Sequence, residues 1–144
     1  MSKISYEEVL ETSGQTFKGL KKSLARYLEE AKKPFKYFPK WEDLVDANAV
    51  GDYICKFSKN AQRYAFLSAE CRVKRIQGEE FVRQLRKWAK HFGQSNGANL
   101  FPIIEKTEFV LDKMREVSYV FKDKHGQVQE DINSLKVMIR VIID

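Results

Sequence analysis

The sequence predicts an all-α protein, a compact bundle of five or six helices in a single helical domain covering residues 1–144. Three observations lead to this prediction. Apolar residues recur at helical spacing through most of the chain. The 144 residues include only seven glycines and three prolines, so long segments can stay helical. The chain also starts with a capping box formed by Ser5 and Glu8, which is typical of a helix N-terminus.

Two helices are expected before the first proline. The capping box starts a helix over Tyr6–Thr12, which we expect to break at Gly14, and a second helix follows over Gln15–Lys33. Pro34 ends it, because the residue before a proline is disfavoured in the α region. The segment Pro34–Trp41 alternates aromatic, basic and proline residues, which indicates a loop or an extended segment.

Four more helices are expected in the rest of the chain, with glycines at three of their ends. They are Ala49–Ile76 before Gly78, Glu79–Phe92 before Gly93, Phe101–Lys124 before Gly126, and Val128–Ile143. The last segment leaves an alternative open. It is rich in β-branched residues and follows a possible hairpin turn at 122–126, so a strand also fits, but its apolar spacing favours a helix.

The cysteines and the chain start indicate a soluble, cytoplasmic protein. Cys55 and Cys71, if they share one helix, lie about 24 Å apart, whereas a disulfide needs about 7 Å or less. We therefore expect two buried free thiols, as in a reducing compartment. The start MSKISYEEVL lacks the apolar region of a signal peptide, and the aliphatic run Val137–Ile143 is too short to span a membrane.

The net charge of +6 is unevenly distributed along the chain. Residues 1–13 carry −2, residues 14–100 carry +9, and residues 101–144 carry −1. A basic segment of this kind is typical of proteins that bind an anionic polymer, and phosphate backbones are the commonest such partner.

Helical projection gathers the positive charges of the middle segment into stripes. We expect nucleic-acid contacts from two groups of residues, Arg83, Arg86, Lys87 and Lys90 in one and Lys56, Lys59 and Arg63 in the other. The first group falls within about 100° of one helix, opposite Leu85 and Phe92. The alternative is that these are ordinary solvated faces, which every amphipathic helix has.

The segment Phe35–Trp41 adds Lys36 and Lys40 to the candidate nucleic-acid contacts. Its aromatic residues alternate with these lysines, so it could stack on bases or on a ribose. The alternative is a loop that packs Phe38 and Trp41 into the bundle.

The expected helix 101–124 carries the opposite charge. Its acidic stripe consists of Glu105, Glu108, Asp112 and Glu116, at spacings of three and four residues. It is either a solvated face or a docking surface for a neighbouring protein subunit. A basic face and an acidic face together are what head-to-tail stacking of copies requires.

The sequence contains one pattern that resembles a catalytic motif and none that is typical of a metal site. No Cys or His pair has metal-ligand spacing, so no metal and no cofactor are expected. Arg86 and His91 resemble the Arg-x4–6-His signature of HEPN ribonucleases, small all-helical proteins in which two protomers form a composite site. That family usually has a small polar residue after the arginine, where this chain has Lys87.

In size, charge and helix plan the whole chain resembles the small helical subunits of CRISPR effector complexes. That resemblance includes no shared motif, so no residue roles follow from it. It implies a non-catalytic antiviral-defence subunit that contacts guide or target nucleic acid through basic surfaces. We therefore expect a subunit that binds RNA or single-stranded DNA independently of sequence. The alternatives are a protein-only helical adaptor and a HEPN-like ribonuclease.

Overall fold

The structure is a computed structural model that describes residues 4–33 and 46–143. These residues form three α-helices, α1 (Tyr6–Lys32), α2 (Ala47–Ala98) and α3 (Phe101–Ile143), and no strand. The all-α prediction is therefore confirmed, and the helical assignment of Val128–Ile143 is correct. The prediction of five or six helices is wrong for the described part of the chain.

Each observed helix joins two of the expected ones, because Gly14, Gly78 and Gly126 lie inside helices rather than at their ends. A glycine inside a helix costs about 1 kcal/mol relative to alanine. That cost does not break a helix whose apolar stripe continues on both sides and packs against a neighbour.

Gly78 has a packing role in the middle of α2. It is buried, and a Cβ atom at this position would lie 2.4 Å from Leu111 Cδ2 and 3.4 Å from Leu20 Cδ1. The missing side chain therefore lets α2 approach both α3 and α1 closely.

Gly93 is where the sequence correctly places a break. Its backbone angles (φ 82°, ψ −170°) are not helical, so the long α2 changes direction at this residue. The following turn folds back tightly, since a Cβ on Gly97 would lie 2.1 Å from the carbonyl oxygen of Ala89. Leu100 is fully buried, and its carbonyl accepts the first hydrogen bond of α3 from Ile104 N (3.0 Å).

Side chains cap the other two helix starts. Ser5 Oγ accepts a hydrogen bond from Glu8 N (3.2 Å), so the capping residue expected from the sequence is confirmed. Asp46 caps α2, its carboxylate accepting from Ala49 N (2.8 Å). Each cap satisfies a backbone N–H that the helix itself leaves without a partner.

Helices α2 and α3 pack antiparallel along their lengths. Cys71 Sγ donates to Met114 O (3.2 Å), and the rings of Tyr64 and Phe121 stack with centroids 6.5 Å apart. In both pairs the residue numbers add to 185. The same register brings the part of α2 around residue 57 beside residue 128, and both residues are buried.

Helix α1 runs antiparallel to α2 but covers only part of it. Its start lies beside the end of α2, where the rings of Tyr6 and Phe92 have centroids 5.7 Å apart. Its last turn lies beside Arg63 and Lys124, since Glu30 is bonded to Arg63 and Lys124 Nζ donates to the Ala31 carbonyl. We call α1 with residues 61–124 the body, and residues 47–60 with 125–143 the arm.

The hydrophobic core is continuous through the body and the arm. In the body its largest fully buried side chains are Tyr27 and Phe121, from α1 and α3. In the arm the buried apolar residues are Val50, Phe57, Val128, Ile132 and Leu135. Both cysteines lie on α2, but only Cys71 is buried, so the expectation that both thiols are buried is wrong for Cys55.

None of the three helices has a stretch of described residues apolar enough, over sufficient length, to cross a bilayer.

Candidate nucleic-acid interface

Four cations lie close together on the solvent side of α2, in the body. They are Arg83, Arg86, Lys87 and Lys90, and all four are exposed. The buried residues Val82, Leu85 and Ala89 alternate with them and anchor this stretch of helix to the core. The backbone under the four cations is therefore fixed, while their long side chains reach into solvent. We call these four residues the basic patch.

Two carboxylates lie at the border of the basic patch. Arg83 donates to the Glu80 carboxylate from Nε (2.9 Å) and Nη2 (2.6 Å), and Arg86 is bonded to Glu108 of α3. Sequence projection along one helix missed Glu108, because that residue comes from another helix. Among the described residues, Lys87 and Lys90 are in no ion pair.

The border carboxylates reduce the positive charge of the patch but do not prevent an anion from binding to it. Hydrogen bonds from Arg83 lower the pKa of Glu80, so its carboxylate stays ionised. In the Arg86–Glu108 pair the two side chains are 52% and 43% exposed. Surface pairs of this kind contribute about 0–1 kcal/mol, so an incoming phosphate can displace the carboxylate at small cost.

The second predicted group lies elsewhere on α2. Lys56, Lys59 and Arg63 are exposed, but Arg63 is bonded to Glu30 of α1, whereas Arg86 of the patch is bonded to α3. About 30 Å of helix separates Arg63 from Arg83. The structure therefore does not bring the two groups into one site.

Two cations of this second group are also engaged in local contacts. Hydrogen bonds from Lys33 and Arg63 lower the pKa of Glu30, so this carboxylate holds its cations through ordinary pH. The Lys56 ammonium lies 5.2 Å from the centre of the Tyr53 ring.

The remaining predicted contacts, Lys36 and Lys40 with the aromatic residues of Phe35–Trp41, lie outside the described residues.

The acidic stripe lies along the outer side of α3. Glu105, Asp112 and Glu116 are exposed, and Glu108 is turned toward Arg86. Phe109 lies among these acids and is 63% exposed, with Lys113 Nζ 5.6 Å from the centre of its ring. Within the described part of the chain, Glu105 and Asp112 are in no ion pair. The stripe is thus a mixed acidic and apolar face.

A groove between α2 and α3 was not predicted from the sequence. This α2–α3 groove has a volume of about 780 Å³ and includes Arg72, Val73, Ile76, Tyr119 and Lys122 in its lining. On α2, Phe66, Ala69, Val73 and Ile76 follow one another at spacings of three, four and three, a pattern typical of a helix-packing seam. That spacing could have indicated the α2 side of the groove from the sequence. The α3 side could not be predicted in this way, because it depends on how the two helices pair.

The residues of the ribonuclease-like pattern point in different directions. Five residues along a helix correspond to a rotation of about 140°, so Arg86 and His91 do not converge within one protomer. The His91 ring instead packs against Trp88 and Phe92, with centroids 5.5 and 5.3 Å away.

Two other features bear on chemistry. Burial raises the pKa of the Cys71 thiol to about 11, which keeps it protonated and unreactive. Residues 4–33 and 46–143 contain no cluster of three or more His, Cys, Asp or Glu residues that could hold a metal ion.

Comparisons with protein-family models, with curated proteins and with solved structures give no match for this chain.

Proposed function

We propose that this protein is a non-catalytic, cytoplasmic subunit of a nucleoprotein assembly, and that its basic patch binds nucleic-acid backbone. The observation that carries the proposal is the patch itself. Its four exposed cations stand on a rigid stretch of helix, and two of them form no direct ion pair with the described residues.

The dimensions and chemistry of the patch suit a phosphate backbone. Arg83 and Lys90 are seven residues apart, a rise of about 10.5 Å along the helix, which equals about three phosphate-to-phosphate steps of a stacked strand at about 3.4 Å of axial rise each. Lys and Arg contacts to phosphates fix position but carry no sequence information. Binding to RNA or single-stranded DNA should therefore be independent of sequence and steeply dependent on salt.

The kind of assembly is proposed from the resemblance to small helical subunits of CRISPR effector complexes. The length of 144 residues, the net charge of +6 and the all-helical plan support it. In such an assembly the basic patch would face the guide or target strand, and the acidic stripe would face a neighbouring protein.

A charge-matched pair of variants tests the patch. The patch variant carries Arg83→Glu, Arg86→Glu, Lys87→Glu and Lys90→Glu. The control carries Lys18→Glu, Lys21→Glu, Lys22→Glu and Lys136→Glu, at exposed positions away from the patch. Both variants change the net charge from +6 by the same amount, so only the location of the charge differs.

Fluorescence anisotropy with labelled single-stranded RNA and DNA of mixed sequence, at two salt concentrations, measures the outcome. With four phosphate contacts, the slope of log K against log salt for a single strand should be about −3 in the wild type. We expect the patch variant to lose at least tenfold in affinity and most of that slope, and the control to retain both. Equal losses in the two variants would overturn the site assignment, provided circular dichroism shows both folded.

The α2–α3 groove favours a second candidate function, a protein-only helical adaptor. Its exposed apolar residues suit a protein surface better than a solvated backbone. If the wild-type protein binds neither RNA nor DNA at low salt, the adaptor replaces the nucleic-acid subunit as the best function.

A further inference from the structure

We infer that the α2–α3 groove receives the acidic stripe of a second copy of this chain, so that copies associate head to tail. This inference concerns two surfaces outside the basic patch and holds whether or not the protein binds nucleic acid.

The groove side of the body leaves large apolar side chains in solvent. Val73 is 52% exposed, Ile76 49% and Tyr119 58%. Val73 and Ile76 belong to the regularly spaced seam on α2, and Tyr119 faces that seam from α3. A surface of this kind gains free energy when another helix covers it.

The charges around the groove select an anionic occupant. Arg72, Arg75 and Lys122 belong to the lining, and no carboxylate does. Arg72 and Lys122 are exposed and are in no ion pair among the described residues. Arg75 Nε is buried without a hydrogen-bond partner, and its ion pair with Glu79 is a long one of 4.0 Å. An acidic helix would therefore bring carboxylates to cations that have spare hydrogen-bonding capacity.

The acidic stripe has the complementary chemistry. Glu105, Phe109, Asp112 and Glu116 fall within about 60° around α3, on the side away from the core. Three acids thus surround one phenylalanine that is 63% exposed. Phe109 is the apolar anchor for the groove, and the acids on either side of it meet the basic flanks.

The two surfaces also match in length. The α2 part of the groove extends over residues 65–76 and the stripe over residues 105–116. Each stretch rises about 16.5 Å along its helix. One helix can therefore cover the groove from end to end.

A symmetric contact of groove against groove is disfavoured. Stacking the seam of α2 on itself antiparallel about its midpoint places Arg72 near Arg72 of the other copy, and like charges at an interface repel. A stripe-to-groove contact avoids this repulsion. It uses different surfaces on the two copies, so each bound copy still offers one free groove and one free stripe, and the association can continue.

Two variants block one surface each. The groove variant carries Arg72→Glu and Lys122→Glu, and the stripe variant carries Asp112→Lys and Glu116→Lys. Neither alters the basic patch, and a charge control carries Lys18→Glu and Lys21→Glu on exposed positions of α1. Sedimentation velocity at low salt, from about 5 to about 200 µM, covers the range in which weak interfaces dissociate.

We expect the wild type and the charge control to form species that grow beyond a dimer as concentration rises, and each surface variant alone to be monomeric. Mixing the two surface variants in equal amounts should give a 1:1 dimer that grows no further, because only one intact groove and one intact stripe can meet.

Three results would overturn the inference. They are a wild type that stays monomeric at the highest concentration, a mixture that forms no dimer, and a wild type whose growth stops at a dimer. The anisotropy experiment with the basic-patch variant is separate, so a failure there leaves this result unchanged, and the reverse also holds.

Discussion

The body and the arm are held together differently. In the body, α1 is tied to α2 by Arg26–Glu70 and Glu30–Arg63, and the rings of Tyr27 and Phe121 meet edge to face with centroids 6.4 Å apart. In the arm, the buried residues along α2 and α3 are aliphatic apart from Phe57. The body therefore combines directional polar contacts with apolar packing, and the basic patch, the groove and the stripe all lie on it. The candidate surfaces therefore lie on the more constrained part of the molecule.

Removing a large core side chain should have the largest effect on stability in either region. Phe121→Ala takes away a fully buried ring that contacts both Tyr27 and Tyr64, so we expect the free energy of unfolding to fall by about 3–5 kcal/mol. Leu135→Ala, in the arm, should cost about 2–5 kcal/mol when the chain unfolds as a unit. Urea denaturation followed by circular dichroism measures both.

Native-state hydrogen exchange then locates the damage from the same two substitutions. Leu135→Ala should speed exchange in residues 47–60 and 125–143 while the body stays protected, whereas Phe121→Ala should speed exchange in all three helices. Equal acceleration of both regions by Leu135→Ala would mean that the arm and the body open together.

Alanine at two glycines should have opposite effects. Gly97→Ala forces a Cβ to within 2.1 Å of a backbone oxygen in the turn that closes the body, so we expect a loss of about 1–3 kcal/mol. Gly126→Ala, at the start of the arm, meets nothing within 4 Å and should stabilise by about 0.5–1 kcal/mol. Thermal melting of both variants is the measurement, and the same sign at both positions would contradict the close turn.

Lowering the pH should destabilise the packing of α1 against α2 more than it destabilises the arm. Hydrogen bonds from Lys33 and Arg63 lower the pKa of Glu30. The pKa of Glu70 is also lowered: burial alone would raise it, but contacts with Tyr27 and Arg26 outweigh burial. A lowered carboxyl pKa adds stability that is present above the unfolded pKa of about 4.3 and is lost as the pH falls through the folded pKa.

We expect each of these two pairs to contribute about 1 kcal/mol or less, because the arginines are half exposed. The stability difference between pH 6 and pH 3, measured by urea denaturation, should shrink in Glu30→Gln with Glu70→Gln. It should not shrink in the control Glu105→Gln, and an unchanged difference in the double variant would show that these pairs do not set the acid response.

The smallest effect concerns reactivity rather than stability. Cys55, in the arm, is exposed, whereas Cys71, in the body, is buried with its Sγ donating to Met114 O. A thiol-specific reagent such as a dithiobis-nitrobenzoate should modify Cys55 in the native protein and Cys71 only after unfolding. Equally fast modification of both would contradict the assigned orientation of α2.

The sequence was a reliable guide to which residues are helical and a poor guide to where helices end. The apolar stripes correctly identified the helical segments on both sides of Gly14, Gly78 and Gly126. Local propensity then placed breaks at these glycines, because it does not include the packing that holds a helix together through them. Gly93 differs because its φ of 82° is one that other residues rarely adopt.

The candidate site was predictable within one helix turn and not between helices. The spacing of Arg83, Arg86, Lys87 and Lys90 correctly placed them on one face of α2. The position of Glu108 beside Arg86 and the cationic lining that Lys122 adds to the groove required the pairing of α2 with α3. Such contacts join residues distant in sequence, and spacing along a single segment carries no information about them.

The turn at Gly93 and Gly97 also sets an order in which the long helices can meet. Each contact between α2 and α3 closes a loop of chain, and that loop lengthens from a few residues at the turn to 43 residues at Cys71–Met114. The entropy lost on closure grows with the logarithm of loop length, so pairing is cheapest beside the turn and each later layer extends what has already formed. The two helices should therefore close like a zipper from the turn, and the tip of the arm, near residues 47 and 143, should be the last part to close and the first to open.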